Sequence, residues 1–150
     1  MEKSKILSKF NDVVYIEQDK LYDGRCLVIF NDYNLDYPKI DYDKMCQHMI
    51  DIFTTAIQKS QAQNHPDFVI ICYLKPNRKY SVNMKSVFQL VTIMKSLFKD
   101  TMNKCIFVNC NKFFKIAFNL IQPILDSKLR KKLIFKNLEE LQNGITNLKE

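Results

Sequence analysis

The chain is 150 residues long, 47% hydrophobic and 26% charged, which is enough apolar material for one ordinary domain with its own core and excludes a wholly disordered chain. Its formal charge of +7 favours an anionic partner: nucleic acid, an acidic protein or anionic lipid. Arginine occurs only at Arg25, Arg78 and Arg130, so the charge is almost all lysine, whereas bidentate reading of phosphates and bases favours arginine; basicity alone is a weak argument for nucleic acid.

The opening "MEKSKILSKF" carries a charge every two or three residues, and no window approaches 18 uncharged apolar residues. Neither a secretory signal nor a transmembrane helix is therefore expected. Five cysteines, at 26, 46, 72, 105 and 110, lie mostly inside apolar runs, as expected of buried thiols in a reduced, cytoplasmic protein.

Two β-like runs come first, "VVYIEQ" (13–18) and "GRCLVIFN" (24–31), with the turn residues of "DKLYDG" between them. A helix is predicted from about Asp41 to Ser60, because Cys46, Met49, Ile50, Phe53 and Ile57 recur at three- and four-residue steps. Asp41 and Asp43 suit its positive N-terminal end. The unbroken apolar run "DFVIICYL" (67–74) predicts a strand covered on both faces. The loop "KPNRKYS" leads to a second helix from about Val82 to Lys99, with Val87, Leu90, Val91, Met94, Leu97 and Phe98 as its buried stripe. "KCIFVNC" (104–110) is a second covered strand, and "KKLIFKN" (131–137) a final short one. "LEELQNG" ends in a helical turn with Gly144 as its C-cap. This order predicts an α/β fold: a single layered domain over residues 1–150, with a mostly parallel central sheet flanked by helices.

Much familiar chemistry is missing. Gly24 and Gly144 are the only glycines, so neither a dinucleotide fingerprint nor a P-loop can be built. No G-x-S-x-G elbow occurs. Cys105 and Cys110 are five apart, and His48 and His65 have no metal-type neighbour at ligand spacing, so no metal and no cofactor are expected. His48 falls on the polar side of its helix and His65 in a loop, where solvation accounts for both. Asp32, Asp36, Asp41 and Asp43 gather around one loop, where caps and turns explain them better than an acid–base pair. The chain is expected not to be an enzyme.

The segment "NKFFKIAFNLIQPILDSKLRKKLIF" (111–135) stands apart. Read as a helix, its first half sets Phe113, Phe114, Ile116, Ala117, Phe118, Leu120, Ile121, Ile124 and Leu125 around most of the cylinder. It then meets Pro123 and a basic turn of Lys128, Arg130, Lys131 and Lys132. A helix so apolar must be covered on most of its circumference, by the protein's own core or by lipid. The cationic rim beside it suits an anionic headgroup or leaflet.

Several stretches together resemble the CRAL-TRIO lipid-binding family. Asp23-Gly24-Arg25-Cys26-Leu27-Val28-Ile29-Phe30 resembles that family's D-G-R-P-V-V-V-F opening strand. Val108-Asn109-Cys110-Asn111-Lys112-Phe113-Phe114 is similar to its I-N-x-P-x-x-F strand end, and Gln122-Pro123-Ile124-Leu125-Asp126 to its K-P-F-L-D. Lys131-Lys132-Leu133-Ile134-Phe135 resembles the turn and short strand that follow. The resemblance spans roughly residues 20–145. It implies a helix through Phe114–Leu125 acting as a mobile gate over an apolar cavity lined by Phe114, Phe118, Ile121, Ile124 and Leu125. Lys132, with Lys131, Arg130 and Lys128, would meet a headgroup or membrane.

Departures from the family pattern carry information. Phe98-Lys99-Asp100-Thr101 replaces a tyrosine-proline-glutamate-arginine run, removing the Glu/Arg pair associated with phosphoinositides. No counterpart of the family's N-terminal helical bundle is expected. These features resemble the divergent branch that includes the BCH-type modules of Rho-GTPase-activating proteins. The resemblance thus implies a non-enzymatic module that binds lipid or another small hydrophobic ligand and associates peripherally with membranes. A protein-interaction module, binding a small GTPase or forming a homodimer, is the second expectation, and nucleic-acid binding the third and least supported.

Overall fold

Alternation along the β-branched runs explains the centre of the molecule. A computed structural model describes residues 10–35, 40–75 and 84–147. Strands β1 (Val14–Tyr22), β2 (Arg25–Asn31), β3 (Phe68–Tyr73), β4 (Met102–Val108), β5 (Leu133–Lys136) and β6 (Ile145–Asn147) form one sheet in the order β5-β4-β3-β2-β1-β6. The pairs β2–β3, β3–β4 and β4–β5 are parallel; β1 runs antiparallel to both β2 and β6. In this register Val28, Ile70, Cys105 and Leu133 lie side by side in one row, and Ile29, Ile71, Ile106 and Ile134 in the next. Neighbouring rows point to opposite faces.

From β2 to β5 each new strand adds on the same side. Crossovers of one hand then place their helices on a single face. These helices are α1 (Tyr42–Gln61), α2 (Met84–Leu97), α3 (Lys112–Ile121) and the short α4 (Ser127–Lys132). Met45, Met49 and Phe53 of α1, Met94 of α2 and Leu129 of α4 pack with Val28, Ile70 and Cys105. The other face gathers Tyr22, Leu27, Ile29, Val69, Ile71, Ile106 and Val108 around Leu141 of α5 (Leu138–Gln142).

Several boundaries move from their sequence-based places, for identifiable reasons. β1 continues through Tyr22 because Asp23 (φ 50°) and Gly24 (φ 80°) form a two-residue turn with both centres left-handed, which closes the hairpin tightly. A register shift between Ile16 and Leu21 hides the alternation that would have marked this strand. β4 begins two residues earlier than expected, at Met102, and stops before Asn109, whose φ of 60° breaks the strand ahead of Cys110. The apolar helix ends at Ile121 and tightens into a 3₁₀ turn over Gln122–Ile124 containing Pro123. The basic turn is itself helical: Asp126 accepts from the Leu129 N–H (2.8 Å), capping α4, so β5 starts at Leu133. β6 had no forecast in its three-residue sequence.

Three residues correct their predicted surroundings. His48 is buried rather than solvated, its Nε2 2.7 Å from the Val14 carbonyl oxygen. Leu97, placed in the buried stripe of α2, is exposed. Gly144 lacks a left-handed φ; it is required because a Cβ there would collide with the Tyr22 ring. The side chains of Val87 and Leu90, the loop at 76–83 and Asp36 lie outside the described residues.

Candidate functional site: an apolar cavity beneath an aromatic helix

Asn111 starts α3 by accepting from the Phe114 N–H (2.9 Å). That cap sets the rotation of the helix, and Phe114, Phe118 and Ile121 then fall at steps of four and three on its inner side. Phe114 packs on Phe107 of β4 (centroids 5.0 Å apart), Phe118 edge-on against Phe135 of β5 (5.2 Å), and Phe107 stacks on Phe135 (5.5 Å). These four rings hold α3 off the sheet as a spacer.

Beneath the helix lies a cavity of about 340 Å³. The sheet supplies Ile70, Cys72, Cys105, Phe107 and Leu133; α1 supplies Met49 and Phe53, and α2 supplies Val91 and Met94. Phe114, Phe118, Ile121 and Leu125 close it from above. Ile124, expected with them, is half-buried and is not among the lining residues. The 3₁₀ turn explains this, since three residues per turn rotate Ile124 away from the line an α-helix would have continued. Phe113's side chain lies outside the described residues.

The polar atoms of the wall are muted. Cys72 and Cys105 stand with Sγ atoms 3.8 Å apart, and their hydrogen bond together with burial pushes the Cys72 thiol well above the usual range. Neutral thiols behave as small hydrophobes, so the wall is effectively hydrocarbon. Asp32 is fully buried at one end, accepting from the Lys75 N–H (2.9 Å).

A second pocket of about 190 Å³ adjoins the first and shares Met94, Met102 and Leu129 with it. It is lined by Lys95, Lys99, Lys128 and Lys132, together with Phe98 and Asp126. Lys132 donates to the Lys99 carbonyl oxygen (2.8 Å). Its ammonium is held below the usual lysine value by burial and then by the charge of Lys128; Asp100, Asp67 and Asp126 act in the opposite direction. Lys128 donates to Asp100 (2.5 Å), and Lys95 lies 3.8 Å from Asp126. Thr101, beside Asp100, has a buried Oγ1 without a hydrogen-bond partner among the described residues.

The four cations of the basic turn are thus divided. Lys128 and Lys132 face the smaller pocket, while Arg130 and Lys131 are exposed on α4 and line neither pocket. Lys95 and Lys99 were missed in the sequence: Lys95 sits in the last turn of α2 and Lys99 just beyond it, and only the parallel β4–β5 pairing brings them to α4. Outward from the cavity, Ile116 (59% exposed) and Leu120 (62%) form an apolar strip on α3, with Lys112 and Lys115 also exposed. No described helix is long and apolar enough to cross a membrane.

A model of the CRAL/TRIO domain family matches residues 11–148. Among solved structures the fold is similar to Sfh5, with a TM-score of 0.70 at 13% identity; the match covers 93% of this chain and 52% of that one. The chain therefore spans about half the length of that structure. No curated protein matches it in sequence.

Proposed function

Since this chain belongs to the CRAL/TRIO domain family, whose members bind lipids or other small hydrophobic ligands, we propose that it is a non-enzymatic module that takes such a ligand into the cavity beneath α3. The observation that supports this most is the 340 Å³ apolar space itself. A protein interior fills comparable volume with side chains, and leaving it empty forfeits dispersion contacts. Phe114, Phe118, Ile121 and Leu125 are the residues that would contact the ligand. In this reading the strip of Ile116 and Leu120 meets a membrane surface, its apolar side chains entering the acyl boundary while Lys112, Lys115, Arg130 and Lys131 face anionic headgroups.

Native mass spectrometry of the purified chain, followed by organic extraction, tests the proposal. The expected result is a bound hydrophobic molecule that extraction releases, with the protein sedimenting alongside vesicles containing phosphatidylserine. An empty protein that takes up no hydrophobic probe and ignores such vesicles overturns it.

A further inference from the structure

The pairing of a small apolar cavity with a lysine-lined pocket restricts what the ligand can be; the restriction rests on the lipid-binding reading above. The apolar lobe, at about 340 Å³, is roughly twice the ~150 Å³ cavity that accommodates one benzene. By that measure it holds on the order of a dozen carbons. It lies at the lower end of the roughly 300–1,000 Å³ range of small-molecule sites. One slender chain fits such a volume, and the two chains of a diacyl lipid do not.

The adjoining lobe sets the other end of the molecule. Four lysines line it, against Asp126 within the lobe and Asp100, which is bound to Lys128. An ammonium carries three donors, and Lys132 directs one of them to the Lys99 carbonyl. The partial burial and the Lys128 repulsion that weaken its hold on a proton are both relieved by an anion placed between them. Met94 and Met102, shared by the two lobes, are flexible unbranched side chains able to part around a chain running from one lobe to the other.

We propose that the ligand is a single-chain amphiphile with one compact anionic head, a carboxylate or phosphate, whose tail fills the cavity beneath α3 and whose head sits among Lys95, Lys99, Lys128 and Lys132. The head is compact because the lobe that takes it measures only about 190 Å³. Charge contacts of this kind form at the rim of the fold, so binding weakens as salt is added.

Calorimetric titration of the whole chain with dodecanoate, dodecyl phosphate, dodecanol, a two-chain didodecanoyl phosphatidate and inorganic phosphate decides the matter. Dodecanoate or dodecyl phosphate is expected to bind one per protein, about tenfold or more tighter than dodecanol, as suits a charged hydrogen bond. Lys132→Gln is expected to remove most of that advantage while leaving dodecanol unchanged. Lys95→Gln, at a half-exposed position that the fold does not need, gives a smaller loss in the same direction and guards against misfolding of the first variant. Dodecanol binding as tightly as dodecanoate overturns the anionic head but leaves the lipid-binding reading standing. Phosphatidate binding more tightly than dodecyl phosphate overturns the single chain, and inorganic phosphate matching dodecyl phosphate overturns the role of the tail. Failure of every compound on a protein shown to be folded by circular dichroism overturns both readings.

Discussion

The two faces of the sheet are built from alternate residues of the same strands and yet pack differently. On one face Ile29, Val69, Ile71, Ile106 and Val108 are at most 4% exposed, stiff β-branched side chains set in rows around Leu141. On the other, the same strands present Cys72, Cys105 and Phe107, and the helices bring Met49, Met94, Phe114 and Phe118. Small thiols leave room that large rings bridge without filling, and a cavity results. The difference teaches where this cavity comes from: Cys105 stands between Ile70 and Leu133 in one row, and Cys72 between Phe30 and Phe107 in the next row on that face. One face is a small set of tightly packed rows; the other holds the larger buried cluster, with Val28, Phe53 and Phe68, and the cavity beside it.

The largest expected effect breaks the tight face. Ile106→Ala removes a fully buried side chain from the central rows and is expected to cost about 2–5 kcal/mol in urea unfolding. If it costs no more than a surface substitution, the rows are not tightly packed.

Enlarging a side chain on each face sharpens the comparison at intermediate size. Val69→Leu has no space to enter and is expected to cost about 1–3 kcal/mol. Cys105→Leu projects into the cavity and is expected to cost less than about 1.5 kcal/mol, since existing volume accommodates it. The same variant should lower the uptake of a hydrophobic probe by about tenfold or more, read as a difference of roughly 1.4 kcal/mol or above in binding. Equal destabilisation by the two enlargements would erase the distinction between the faces.

The smallest effect concerns the rim of the cavity face. Lys128 holds the Asp100 carboxyl below its ordinary value of 3.8 through a hydrogen bond and its charge. Asp126 is lowered too, first by the Leu129 N–H that caps α4. A carboxylate lowered in the folded state contributes stability that is complete above its ordinary value and is lost as pH falls through the lowered one. Thermal unfolding is therefore expected to show a small loss below about pH 4 that added salt reduces and Asp100→Asn lessens. An unchanged acid profile in that variant would mean the Lys128 contact contributes nothing to the fold.

Much of this architecture was legible in the residues. The runs at 24–31 and 67–74 marked central strands because a parallel sheet covered on both faces demands unbroken apolar sequence. The three- and four-residue spacing of Cys46, Met49 and Phe53 marked α1. The D-G-R and P-x-L-D fragments pointed to the CRAL/TRIO family, to which the chain belongs. Other features were illegible for stated reasons. Asp19–Tyr22 reads as part of a turn because a register shift between Ile16 and Leu21 interrupts the alternation of the strand. His48 reads as solvated because its partner is a carbonyl 34 residues away, invisible in any side-chain pattern. Lys95 and Lys99 read as surface charge.

The sequence by itself determined the order of the first five strands and the three longer helices, the apolar character of α3 and the position of the basic turn. These are local properties, decided by periodicity, capping residues and charge within a dozen positions of one another. The tertiary structure decided what faces what. It turned Phe114, Phe118 and Ile121 inward and Ile116 and Leu120 outward on one helix that is apolar nearly all round. It brought Lys132 to Lys99 across 33 residues of chain, which only the strand crossover between them can do. Burial and distance across a sheet depend on register and topology, and neither is written in any single stretch of residues.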